Sequence, residues 1–190
     1  MRSLSLSKPH LIFMVGGPGA GKSFFAERFS QTFSTPLVSW RRIRNELFND
    51  PVYTKDEDDI VERVAFHMLD ELFKTGATVL YESNVQSQVH RQEMMKIAKA
   101  AGYETLFVWS QVDTVTAKSR AAKSGLSPKQ YDRYENTFTP PKPADAPVVI
   151  SGKHTYPSQL KIVLMRLVGP RAAGGAKVRP RPANHNITVQ

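Results

Sequence analysis

The chain contains no cysteine, and its 17 acidic side chains are outnumbered by 26 basic ones. Nothing in it therefore depends on an oxidising compartment, and a disulfide framework is excluded. No apolar run approaches the length needed to cross a bilayer. The opening residues, Met1 to Lys8, lead into a first strand without the long apolar stretch of a secretory leader. The expectation is a cytoplasmic protein. Five histidines are scattered with no spacing that suggests a metal site. A formal charge of +9 points to anionic partners. Location qualifies that sum, because Arg171, Lys177, Arg179 and Arg181 fall in a Gly- and Pro-rich end with no acid among them. One α/β domain over residues 1–168, followed by a flexible or draped basic tail over 169–190, is the expected organisation. The tail is a candidate contact for nucleic acid or a partner protein, or simply a solvated solubilising segment.

The informative stretch is Gly16-Gly17-Pro18-Gly19-Ala20-Gly21-Lys22-Ser23. It fits the phosphate-loop pattern G-x-x-x-x-G-K-[ST] at every fixed position and lies between an apolar run, Leu11 to Val15, and a helical pattern. A polyphosphate must be wrapped by main-chain N–H groups, which a turn nearly devoid of side chains allows. The helix that follows adds unpaired N–H groups and the positive end of its dipole. Gly16 through Ser23 are thus the expected nucleotide-binding residues. Lys22 would reach the outer phosphates, and the Ser23 hydroxyl would hold Mg²⁺.

Further along, short apolar runs near 36–39, 77–81, 105–109 and 148–150 alternate with helical patterns over 22–33, 40–48, from 55 to Gly76, 88–101, 113–123, 129–138 and 156–167. Alternation of this kind means a parallel sheet between two layers of helices, with ligands gathered at the carboxyl ends of the strands. Phe25, Phe29 and Phe33 share one helix face and are core. Acids at 56–59 sit where a helix dipole favours them, so they read as helix chemistry and not as metal ligands. The strand-end rule collects Trp40 to Arg44, Glu82-Ser83-Asn84 and Ser110 to Asp113 around the loop. Glu82 is a candidate metal ligand or base, and Arg44, Arg91, Arg120 and Lys123 are candidate phosphate clamps. Arg120 and Lys123 lie three apart beside Gly125-Leu126-Ser127-Pro128, a break that would let them close as a lid.

Together the phosphate loop, the Arg after the second strand, Glu82-Ser83-Asn84, Arg91 and Arg120-Ala121-Ala122-Lys123 resemble the small phosphate-loop kinases related to polynucleotide 5′-kinase and zeta toxin. The resemblance covers about residues 9 to 167. It implies a five-stranded parallel sheet in the order 2-3-1-4-5, use of ATP and Mg²⁺, and transfer of the γ-phosphate to a hydroxyl. It further implies catalytic roles for Lys22, Arg44, Glu82, Arg120 and Lys123, and acceptor contacts from Arg41, Arg44, Ser83, Asn84 and Arg91. Relatives carry Asp-x-x-Arg after the second strand, where this chain has Arg41-Arg42-Ile43-Arg44. A guanidinium accepts no proton at working pH. Either Glu82 serves as base, or the acceptor needs none, or nucleotide binding is kept and transfer lost. A weakly catalytic ATP-binding adaptor and a toxin-type sugar-nucleotide kinase are the alternatives to a kinase acting on nucleic-acid ends, nucleosides, nucleotides or another small acceptor. The chain lacks the Asn-Lys-x-Asp pattern of guanine readers, which favours ATP by elimination.

Overall fold

Leu11 to Val15 are fully enclosed, as an unbroken apolar run demands, and they form most of β1 (His10–Val15). In this computed structural model, which describes residues 4, 6–83 and 87–169, β1 pairs in parallel with β3 (Val79–Glu82) and β4 (Glu104–Gln111). β2 (Leu37–Ser39) and β5 (Val148–Ser151) add to either side, giving one five-stranded parallel sheet in the order β2-β3-β1-β4-β5. That is the order the family resemblance implied.

Alternation along the strands divides the core. Leu11, Phe13, Val15, Tyr81 and Phe107 pack with α2 (Trp40–Leu47), α3 (Lys55–Lys74) and α4 (Gln88–Ala100) on one face. Ile12, Met14, Leu80 and Val108 pack with α1 (Lys22–Phe33) and α7 (Tyr156–Val168) on the other. Phe25 and Phe29 are sealed there, and Phe33 stacks on Phe29 at 4.8 Å. On the first face Trp40 Nε1 donates to the Tyr81 hydroxyl at 2.8 Å, which pins the start of α2 beside the end of β3. Two further helices, α5 (Thr114–Lys123) and α6 (Pro128–Thr137), stand beyond the carboxyl ends of the strands. Asp113 caps α5, accepting from Thr116 N at 2.9 Å, and Ser127 caps α6.

The acids at the start of α3 do more than the dipole argument assigned to them. Asp56 and Asp59 are exposed, but Glu57 and Asp58 are buried against the fully enclosed Arg44. Arg44 Nη2 donates to Asp58 Oδ1, and its Nε lies 3.4 Å from Glu57 Oε2. Asp58 also accepts from Arg133 Nη2 and from the Tyr134 hydroxyl at 2.9 Å, both on α6. Glu57 in turn takes the backbone N–H groups of Val52 and Tyr53 at 2.8 and 2.7 Å. This holds Tyr53 in the left-handed region, φ 57°, with its ring 4.8 Å from the Arg44 guanidinium. Burial pulls the Arg44 guanidinium down, but Tyr134 and Asp58 outweigh it and hold the group above its ordinary range. The Tyr134 phenol, buried beside the Asp58 charge, is pushed up to about 12.

Removing one member of a buried ion pair leaves the other charge stranded, at a cost of about 3–5 kcal/mol. Asp58→Ala is therefore expected to lower the urea midpoint by that equivalent at unchanged slope. The same substitution at exposed Asp56 moves it by less than about 0.5 kcal/mol.

Candidate active site

Two glycines give the phosphate loop its path. Gly19 (φ 74°) and Gly21 (φ 100°) occupy the left-handed region, and a Cβ on Gly19 would run into the Ala117 carbonyl of α5. Gly21 caps α1 with no side-chain oxygen to take the first N–H groups of the helix, so those donors are left for an anion. Ala20 anchors the loop from below, its carbonyl accepting from Ser110 Oγ at 2.6 Å.

Lys22 is buried, and its ammonium bends back onto its own loop, donating to the Gly16 and Gly17 carbonyls at 2.8 and 3.0 Å. Desolvation holds this ammonium below its ordinary pKa, although the Glu82 and Glu135 charges pull the other way. Glu82, also buried, accepts from Ser23 Oγ and from Ser39 Oγ, the latter at 2.8 Å. The serine and the acid expected to share a metal are thus in direct contact, although they come from α1 and β3.

The remaining expected residues separate. Arg120 is exposed and reaches across to the loop after β5, donating to the Gly152 carbonyl at 2.9 Å. Lys123 is exposed at the end of α5. Arg41 pairs at the surface with Glu27 of α1, while Arg44 lies inside the acid cluster. Arg91 is enclosed and donates to the Pro140 carbonyl at 3.2 Å; burial lowers its guanidinium, with Asp145 opposing. Ser83 is buried, and Asn84 lies outside the described residues, as does the basic tail from 170 onward. Arg44 and Arg91 thus have partners within the protein, and Arg41 sits on its rim.

Ser110, which the strand-end rule had collected, holds the loop from below, whereas sequence reasoning passed over two contributors. Ser39 follows from the strand-end rule once the sheet order is known. Glu135 of α6 had no local signal. Its Oε2 presses on the loop so closely that a Cβ added to Gly17 would lie 2.6 Å away. Among the described residues there is no cluster of three or more His, Asp or Glu side chains fit to hold a metal, and no helix is long and apolar enough to cross a membrane.

Two outcomes follow from this geometry. Because the Lys22 ammonium is desolvated for a ligand's benefit, Lys22→Met should raise the thermal midpoint of the ligand-free protein while abolishing the added stability that Mg-ATP confers. Gly19→Ala should cost roughly 1–3 kcal/mol in urea, combining strain with the Ala117 collision. Gly17→Ala meets only the end of a flexible Glu135 side chain and should cost less than Gly19→Ala.

The chain resembles several solved kinases in architecture. A sugar kinase from Janibacter sp. HTCC2649 superimposes with a TM-score of 0.63 at 12% identity, covering 85% of this chain and 96% of its own. The Mycobacterium tuberculosis APS kinase CysC gives 0.62 at 18% identity, covering 83% and 96%. A chain of the Pnkp1/Rnl/Hen1 RNA repair complex gives 0.57 at 19% identity, covering 71% of this chain and 48% of that one. Identities so low carry the fold and not the substrate. No curated protein matches the chain in sequence. The family model described as AAA domain matches residues 11–139, which span the phosphate loop, the strand-end acid and helices α5 and α6, and the chain belongs to that family of small phosphate-loop kinases.

Proposed function

We propose that the protein transfers the γ-phosphate of ATP to a hydroxyl group with the help of Mg²⁺. One observation carries the reading: Ser23 and Glu82 meet at the mouth of a loop whose buried lysine is held beside open helix N–H groups. In phosphoryl transfer the protein supplies position and compensating charge more than covalent chemistry. The loop N–H groups and Lys22 would hold the β- and γ-phosphates. Ser23, with Glu82 through its water shell, would hold Mg²⁺, which neutralises charge between those phosphates. Two oxygen donors of this kind suit an ion that keeps several waters and takes the rest of its ligands from phosphate.

Arg120 stands where it can leave the Gly152 carbonyl and close on the nucleotide, and Lys123 one turn on would follow it toward the triphosphate. Arg41 cannot act as base. Glu82 is committed to two serine hydroxyls, so its part in the reading is on the metal side. The engagement of Arg44 and Arg91 inside the protein supports a second reading, an ATP-binding adaptor with little turnover.

Calorimetry with Mg-ATP and transfer of label from ATP to a panel of hydroxyl compounds separate the two. The kinase reading expects uptake that Lys22→Ala removes, together with transfer to at least one compound; uptake without transfer to any favours the adaptor. Glu82→Gln is expected to cut kcat by about 100-fold and to raise the Mg²⁺ concentration needed for half-maximal rate.

A further inference from the structure

A cleft of about 560 Å³ opens directly beside Gly17 and Pro18, between α6 and the exposed side of β4 and β5. Its volume suits a small ligand. Trp109, Tyr131, Phe138 and Val149 wall it, and Glu135 stands at the end that meets the phosphate loop. Val149 is 46% exposed, because no helix among the described residues covers this side of β5. The other charged residues of the lining, Asp113 and Lys153, neutralise each other across 2.6 Å. Of the charged side chains in the lining that leaves Glu135, which also acts on the Lys22 ammonium beneath the loop. The Tyr131 hydroxyl, raised by burial first and then by its Glu135 neighbour, stays protonated and can donate.

An anionic acceptor finds no welcome in such a place. The arginines that would read a phosphate or carboxylate on the other side of the loop are occupied, Arg44 by Asp58 and Glu57 and Arg91 by the Pro140 carbonyl. A neutral ring bearing hydroxyls suits it better: the aromatic walls offer a face for the ring, and Gln111, Thr114 and Ser151 in the lining offer partners for its hydroxyls.

Resting on the phosphotransferase reading above, we propose that this cleft is the acceptor site, that it takes an uncharged polyhydroxylated ring, and that Glu135 is the base. The acceptor hydroxyl gives its proton to the Glu135 carboxylate, and its oxygen bonds to the γ-phosphorus. The bond from that phosphorus to the β–γ bridging oxygen breaks, and the electron pair departs on ADP. A carboxylate on the loop thus stands in for the acid that Arg41 displaces.

The test uses the full chain with Mg-ADP, titrated with nucleosides and free sugars and with their anionic counterparts, nucleoside monophosphates, sugar phosphates and a 5′-hydroxyl oligonucleotide. Emission from Trp109 is the readout, since Trp40 is enclosed and the chain has two tryptophans. At least one neutral ring is expected to shift the emission, with its anionic counterpart weaker by about tenfold or more, and Trp109→Phe abolishes the shift. Whether a nucleoside or a free sugar responds identifies the source of the ring. With that compound and Mg-ATP, Glu135→Gln lowers kcat by about 100-fold without raising KM for ATP, Glu135→Asp recovers part of the loss, and Phe138→Ala raises KM for the acceptor alone. The proposal is overturned if no neutral ring shifts the emission, if an anionic counterpart binds more tightly, if wild-type protein binds a ring without phosphorylating it, or if Glu135→Gln turns over at the wild-type rate. Each of those results leaves Mg-ATP uptake intact, whereas loss of that uptake marks failure of the phosphotransferase reading itself.

Discussion

The free energy of holding one ammonium group out of water governs much of this molecule. Lys22 is enclosed by the loop and by the end of the sheet, and a bare charge in such a place would cost several kcal/mol. Two loop carbonyls solvate it, and the Glu82 and Glu135 carboxylates oppose part of the penalty from either side. Neither carboxylate is close to Lys22 in sequence. Glu82 needs β3 beside β1, and Glu135 needs α6 laid across the loop. The parallel order of the sheet and the placement of α6 are therefore conditions for a stable lysine in a position to meet a polyphosphate.

A second charged interior, around Arg44, runs on different physics. Here the cation is fixed by Asp58 and Glu57, and Asp58 is satisfied again by Arg133 and Tyr134. The guanidinium thus spends its Nη groups on partners inside the protein, while its buried Nε, 3.4 Å from Glu57, makes no hydrogen bond among the described residues. The contrast with Lys22 is instructive. Buried charge alone does not mark a site; what distinguishes the loop is that its helix N–H donors remain without a capping side chain while its lysine is held ready among weak carbonyl partners.

The loop and the strands were legible in the sequence because each has a local cause: glycines where φ is positive, apolar runs where both faces are covered, caps such as Asp113 at helix starts; the sheet order came from the family resemblance alone. Ser23 with Glu82 was legible as well, since strand ends converge on one edge. The arginines were not. Arg44, Arg41 and Arg91 carry the same side chain, and only tertiary contact decides that the first is locked to acids, the second paired with Glu27 and the third spent on a carbonyl. Glu57 and Asp58 were hidden for a related reason, because a run of acids at a helix start satisfies the dipole argument whether or not two of them face inward. Glu135 sits in a mixed polar helix whose pattern gives no hint of the loop it touches.

That helix shows how such contacts arise together. Successive residues of an α-helix turn by about 100°, so Arg133, Tyr134 and Glu135 leave α6 in three directions. The first two reach Asp58 at the start of α3. The third reaches Gly17 in the phosphate loop. A rigid helix tied at one side to the acid cluster cannot shift its third side chain independently. The distance from Glu135 to the loop is thus set by Asp58, although Asp58 belongs to another element and touches neither Lys22 nor Gly17 in the contacts described. The ion-pair cluster then has a use that its own chemistry does not reveal. It fixes where α6 stands over the phosphate loop, and with it how closely a carboxylate approaches the place a γ-phosphate would occupy.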